Sequence, residues 1–270
     1  MNTPRSYLFV PGDRPERFER ALTSGADAVV ADLEDAVAAP AKDRARVAVA
    51  ALLAAGRDAD RIVVRINDAA TPWFDGDLAL LRDGRARAAM LPKAERVETI
   101  ARLRSTCPGI AVLPLIETAR GVLAAESLAA ADGVQRLVFG TIDYALDMDL
   151  QGPLAATVGL DAAAARLALA SRAVGLLPPV AGVTVAIDDE ATLRADMERA
   201  RALGFAAKLC IHPKQIGPLH VLLAPGADDL EWAQRVLAAA EDAAGAVQLD
   251  GRMVDKPVIE RARRIVQRAR

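Results

Sequence analysis

Two carboxylates, Glu117 and Asp143, follow short apolar runs at residues 110–116 and 137–139. Acids at the ends of adjacent strands come within reach of one ion, because neighbouring strands lie about 4.8 Å apart. Two protein carboxylates, with water and substrate oxygens in the remaining positions, are a common way to hold Mg2+. Each acid taken singly also reads as a solvated rim residue or a helix N-cap. Arg65 lies inside the apolar stretch 63–67, where a guanidinium needs an anionic partner. That partner is either a substrate carboxylate or enolate, or a strand-end acid in a structural ion pair. His212 precedes Pro213 in a tight turn and reads either as a brace on a backbone carbonyl or as a functional group. His220, Cys107 and Cys210 have no reactive context and read as structural residues. No G-x-S-x-G occurs, so a serine-hydrolase elbow is not supported.

The elements that must position these groups can be read from short apolar runs. They fall at 7–10, 28–31, 62–66, 88–91, 110–116, 137–139, 183–187 and 206–211. Several carry consecutive Val, Ile or Leu, as strands buried on both faces of a parallel sheet do. Helical spacing appears between them at 15–24, 42–55, 95–105 and 190–203, the last with Asp188 and Asp189 as candidate N-caps. This alternation in about 250 residues predicts an α/β fold, a (β/α)8 TIM barrel. A doubly wound open sheet is the rival, but neither G-x-G-x-x-G nor a P-loop follows any run. The barrel is expected over residues 1–223. A C-terminal helical extension is expected over 224–270, with helices at 229–244 and 257–269.

In such a barrel the chemistry sits at the C-terminal strand ends. The residues there are Gly12–Asp13–Arg14, Asp32–Glu34–Asp35, Arg65–Asn67, Lys93, Glu117, Asp143, Asp188 and His212. They are mostly carboxylates and cations on one rim. The 270 residues carry a net charge of −2, with two His and two Cys. A structural zinc site is therefore not expected. The charge balance and the 3% aromatic content argue against nucleic acid. No run reaches the roughly 18 apolar residues of a membrane span, and no signal peptide is evident. A soluble cytoplasmic protein is expected.

Eight motifs in order give the chain a resemblance that runs nearly end to end. They are RSYLFVPGDRPERF (5–18), DLEDAV (32–37), VRIN (64–67), LPKAE (91–95), LIETARG (115–121), FGTID (139–143), CIHPKQI (210–216) and DGRMVDKP (250–257). The chain resembles the citrate lyase beta-subunit-like proteins of the HpcH/HpaI aldolase family. That resemblance implies a homotrimer or hexamer and Mg2+ held by Glu117 and Asp143. It implies that Arg65 and Glu117 contact substrate, and that Glu34 and Asp35 reach the metal through water. Asp255 would be the acid/base, delivered to a neighbouring subunit by the C-terminal extension; it also reads as a helix-terminus residue. Arg14 would meet an anionic part of the substrate, and the loop from His212 would touch CoA.

The implied activity is cleavage or formation of a 3-hydroxyacyl-CoA diacid, such as malyl-CoA or citramalyl-CoA, to an acyl-CoA and a 2-oxo acid. The alternatives are a class II aldolase acting on a free 4-hydroxy-2-oxo acid, or a citrate lyase beta subunit working with an acyl-carrier partner. A thioester hydrolysis step after the carbon–carbon chemistry is a further possibility. Two departures from relatives stand out: extra acids, Asp147 and Asp149, in the sixth loop, and a shorter chain than several acyl-CoA lyases.

Overall fold

The computed structural model describes residues 3–241, 247–249 and 252–268. Eight parallel strands close into a barrel in chain order. They are β1 (Ser6–Pro11), β2 (Ala28–Asp32), β3 (Ile62–Arg65), β4 (Ala88–Leu91), β5 (Ala111–Ile116), β6 (Val138–Phe139), β7 (Val180–Ala181) and β8 (Ala207–Cys210). Alternate residues such as Ala28 and Val30, Leu113 and Leu115, and Ala207 and Leu209 join Tyr7, Val63, Met90, Val138 and Val180 in one buried cluster. That two-residue period is the inward face of a closed sheet. The other face is also buried, as at β2, where all five residues are covered. This explains why the strands read as continuous apolar runs.

The helices are α1 (Phe18–Leu22), α2 (Lys42–Ala54), α3 (Phe74–Asp83), α4 (Val97–Thr106), α5 (Ala119–Leu123), α6 (Ala125–Ala129), α7 (Thr141–Asp147), α8 (Gly152–Ala173), α9 (Glu190–Ala202), α10 (Ile216–Leu223), α11 (Ala227–Glu241) and α12 (Lys256–Arg268). The first expected helix is a 3-10 turn, Pro15–Arg17, leading into α1. The Asp189 side chain caps α9 by accepting from Thr192 N–H at 3.0 Å.

Seven strands coincide with the expected runs to within a residue at each end, and the seventh does not. Residues 183–187 were expected as strand, but β7 is Val180–Ala181, directly after Pro178–Pro179. Val185 and Ile187 are exposed, at 66% and 41%. The Val-Thr-Val alternation is that of a half-covered segment, whereas the true strand is too short to show a period. Asp188 is thus a loop residue, paired with Lys214 at 2.5 Å, and not the end of a strand.

The chain divides into two compact units, one of them Pro4–Leu219. The second gathers the described residues from His220 onward together with Thr3, so the division falls inside α10. Its core comprises Ala233, Val236, Val254, Ala262 and Ile265. It is not helical throughout: β9 (Val247–Leu249) and β10 (Arg252–Val254) pair antiparallel. The tail of the expected helix 229–244 lies outside the described residues.

Arg136 closes the end of the barrel opposite the strand-end acids. It is 1% exposed. Its Nε donates to the Pro178 carbonyl, and its Nη1 donates to the Pro4 carbonyl at 2.7 Å. The guanidinium lies 5.9 Å from the centre of the Tyr7 ring. Burial lowers its pKa. Nη1 also donates to the Tyr7 hydroxyl at 3.5 Å, so Arg136 joins the starts of β1, β6 and β7 through two carbonyls and one hydroxyl. Arg136→Met keeps the stem but strips both carbonyls of their donor. It should lower unfolding free energy by about 2–4 kcal/mol, read as an earlier urea midpoint with unchanged slope.

Candidate functional site

The register of β2 and β3 places Asp32 directly opposite Arg65. Arg65 Nε donates to Asp32 Oδ1 at 2.7 Å and Nη2 to Oδ2 at 2.6 Å, a two-pronged charged contact. Nη1 lies 3.0 Å from Glu34 Oε2 and donates to Asp35 Oδ2 at 3.5 Å. The guanidinium sits 4.8 Å from the centre of the Phe9 ring. Burial works against the Arg65 charge, but Asp32, Glu34 and Asp35 together hold its pKa above the ordinary value. Of the two roles open to Arg65, the ion pair with strand-end acids is thus built into the fold.

Glu34 is buried, and its Oε2 accepts no hydrogen bond among the described residues. Burial pushes its carboxyl up to about 7, with Asp35 adding to the rise and Arg65 and Lys93 opposing it. The loop that carries Glu34 is pinned from behind. Lys42, the first residue of α2, donates to the carbonyls of Leu33 and Glu34 at 2.7 Å each and to Asn67 Oδ1 at 2.6 Å. The Asn67 backbone N–H and Nδ2 both donate to Asp77 Oδ2, at 2.8 and 2.7 Å. Arg46 Nη1 donates to Asp77 Oδ1 at 3.3 Å. This buried network joins the ends of β2 and β3 to α2 and α3.

Glu117 follows β5 and is 2% exposed. Its Oε1 accepts from the Lys93 N–H at 2.8 Å. Its other side lies against Gly140, where a Cβ would come within 2.6 Å of both the Glu117 Cβ and Oε2. Only glycine lets the loop after β6 approach so closely. Oε2 receives no hydrogen bond from the described residues, and Asp143, half-buried in the first turn of α7, has no hydrogen-bond or ion-pair partner among them. Burial first, then the charges of Glu34 and Asp143, push the Glu117 carboxyl up to about 8, against the lowering effect of the Lys93 N–H. These are hard oxygen donors short of positive charge, which suits a divalent cation. Among the described residues no three His, Cys, Asp or Glu side chains form a ready-made cage. A two-carboxylate Mg2+ site needs none.

The other expected residues are placed as follows. Asp35 is exposed at the edge of the Arg65 cluster. Arg14 is exposed, with Asp13 4.0 Å away. His212 caps the 3-10 turn Pro213–Gln215, its Nδ1 accepting from Lys214 N–H at 3.2 Å; it braces a backbone N–H and not a carbonyl. Asp255 is exposed and caps α12, accepting from Val258 N–H at 3.2 Å. Asp147 and Asp149 are exposed, and Asp147 accepts from Ala119 N–H at 2.7 Å. Both cysteines are buried and free, and burial pushes the Cys210 thiol up to about 12.

Sequence reasoning assigned no role to Lys42 or Asp77. Each carried a signal. A lysine in a helix's first turn opposes the dipole. Asp77 falls in the apolar stripe of Phe74, Leu78 and Leu81, all buried.

The raised carboxyls have a consequence for stability. Glu34 and Glu117 titrate near 7 and 8 in the folded chain, above the reference value of 4.5. Between these limits the folded state binds more protons than the unfolded state, so their contribution to stability falls as pH rises. In chelator, the thermal midpoint of Glu117→Gln should exceed that of wild type at about pH 8 and match it near pH 5. Melts followed by circular dichroism will show this, and parallel curves for the two proteins would contradict it.

A model of the family described as HpcH/HpaI aldolase/citrate lyase matches residues 5–213. A citrate lyase subunit beta-like protein of Mycobacterium tuberculosis is 37% identical over 276 residues, covering 97% of this chain and 94% of that protein. A (3S)-malyl-CoA thioesterase of Cereibacter sphaeroides is 34% identical over 273 residues, covering 98% and 94%. The crystal structure of CitE from M. tuberculosis in complex with magnesium, acetoacetate and coenzyme A superposes with a TM-score of 0.84 at 36% identity, covering 98% of both chains. Family match, end-to-end similarity and barrel agree: the chain belongs to the HpcH/HpaI aldolase/citrate lyase family.

Proposed function

We propose that this chain is a Mg2+-dependent carbon–carbon lyase that cleaves or forms a 3-hydroxyacyl-CoA diacid of the malyl-CoA or citramalyl-CoA type, with an acyl-CoA and a 2-oxo acid on the other side. The observation that carries this is the pairing of Glu117 and Asp143, two carboxylates that form no ion pair among the described residues, on the rim that also holds the buried Arg65 cluster. Relatives with solved structures hold magnesium with acetoacetate and coenzyme A, with oxaloacetate, or with pyruvate.

Glu117 and Asp143 would hold the ion. When bound, it supplies Lewis-acid polarisation of the oxo-acid carbonyl. Arg65 stabilises the negative charge on the thioester enolate oxygen. Glu34 and Asp35 would reach the ion through water. In cleavage the hydroxyl proton passes to solvent water, the new carbonyl forms, and the electrons of the broken carbon–carbon bond pass into the thioester enolate. Asp255 of a neighbouring copy returns a proton to the enolate carbon, and removes it in the reverse direction. Arg14 meets an anionic part of the substrate, and the loop from His212 meets CoA.

In this reading residues 224–270 serve a second subunit, in a homotrimer or hexamer. Large exposed apolar side chains on the barrel unit, among them Leu146 at 80% and Leu154 at 76%, support an interface between copies. No helix among the described residues is long and apolar enough to cross a membrane. Two free, buried cysteines accord with the cytoplasm. A second reading, hydrolysis of the thioester after the carbon–carbon step, is favoured by the similarity to the malyl-CoA thioesterase.

The purified protein with Mg2+ and a panel of 3-hydroxyacyl-CoA diacids should release an acyl-CoA and glyoxylate or pyruvate, and EDTA should stop the reaction. Chromatography of the CoA species separates acyl-CoA from free CoA, which marks hydrolysis. Arg65→Lys and Glu117→Ala should lower kcat/KM by about 10²–10³, and Asp255→Ala by about 10²–10⁴. A silent Asp255→Ala together with turnover of a free 4-hydroxy-2-oxo acid would identify an aldolase instead. No turnover of any thioester would overturn the proposal.

A further inference from the structure

Lys93 is one of four non-glycine residues with positive φ among those described, at +44°. L-residues avoid that left-handed region because Cβ crowds the backbone. Such a conformation persists where surrounding contacts over-determine it. Here two contacts do so, and they point at different acids. The Lys93 N–H donates to Glu117 Oε1 at 2.8 Å, while its ammonium donates to Glu34 Oε1 at 3.0 Å. The next residue, Ala94, donates its N–H to the Leu115 carbonyl at 3.2 Å, so the turn is fastened to β5 immediately afterwards. The side chain is only partly exposed, at 37%, and its charged partner Glu34 is buried.

We infer that Lys93 is a positioning residue: its ion pair with Glu34 holds the turn after β4 in the left-handed conformation, which is what brings a backbone donor onto Glu117 Oε1 and leaves Oε2 free for a cation. The side chain acts through the backbone and not on the substrate. This deepens the assignment of Glu117 as a cation ligand and rests on it. The two sides of the Glu117 carboxylate are then fixed by different means. A hydrogen bond holds Oε1, and the close approach of Gly140 confines Oε2.

Three substitutions at position 93 separate the charge of the side chain from the conformation of the turn. Lys93→Met removes the ammonium but keeps a Cβ that resists the left-handed turn. Lys93→Gly also removes the ammonium, yet glycine adopts that turn freely. Lys93→Arg keeps the charge and the donor. By charge alone, losing a cation beside a metal site tightens metal binding, and it does so equally in the Met and Gly variants.

Mn2+ is titrated against the purified full chain, and free Mn2+ is read by electron paramagnetic resonance. The expected result is that Lys93→Met weakens binding about tenfold or more. Lys93→Gly should bind as tightly as wild type or tighter, and Lys93→Arg should match wild type. Met and Gly variants that both tighten, both weaken alike, or both match wild type would overturn the inference.

If Lys93→Met does not fold, Glu34→Ala cuts the same tether from the other side. It should weaken Mn2+ binding more in the wild-type background than in the Lys93→Gly background; equal weakening in the two would overturn the inference. Glu117→Ala serves as the reference for the site itself. Mn2+ binding that needs Glu117 but ignores residue 93 removes the inference alone. Failure of the wild type to bind Mn2+ removes the reading of Glu117 as a ligand and the inference with it.

Discussion

The Arg65–Asp32 pair is the contact around which the rim of the barrel is organised. Both groups are buried, and neither would tolerate that environment alone. They meet because β2 and β3 are paired in a register that sets the two residues side by side. The two-pronged geometry uses both Asp32 oxygens and fixes the plane of the guanidinium. Nη1 is then directed toward Glu34 and Asp35. An arginine in an apolar strand is costly in isolation. Here it brings three acids together, and the chain past β2 is shaped to supply them.

A second layer of buried polar groups makes that arrangement rigid. Lys42 ties two carbonyls of the Glu34 loop to Asn67 just past β3, and Asp77 holds Asn67 by both its amide groups. Every polar atom in these contacts has a partner close at hand, the condition under which a buried network adds rigidity. The network lies behind the acids. Among the described residues Glu117 Oε2 and Asp143 receive no hydrogen bond, while Glu34 Oε2 lies 3.0 Å from Arg65 Nη1. Glu117 and Asp143 thus stand without an ion pair among the described residues, and a hard cation is their chemical complement.

Much of this was legible in the residues. The apolar runs of β1 to β6 and β8 announced themselves because a parallel barrel buries both faces of each strand. The acids and cations following those runs marked the rim. Arg65 was conspicuous because a charge interrupted Val63, Val64 and Ile66. The seventh strand was misplaced because β7 is two residues long, and the β-branched stretch beyond it is loop. Lys42 and Asp77 were passed over because a charged residue in a helix normally faces water. The local signals, a cation in a helix's first turn and an acid in an apolar stripe, mark the two as out of place but do not name their partners.

Periodicity and motif order are local properties of the chain, and they suffice for the class of fold, the family and the residue types at the strand ends. Tertiary structure decided which of those residues are partners. Asp32 lies opposite Arg65 through strand register, across 33 positions of chain. Lys93 joins Glu34 to Glu117 because barrel closure brings the ends of β2, β4 and β5 to one rim. The same closure removes water from Glu34 and Glu117, and it is this desolvation that shifts their titration. Burial and cross-strand distance belong to no single segment, so no reading of one segment could supply them.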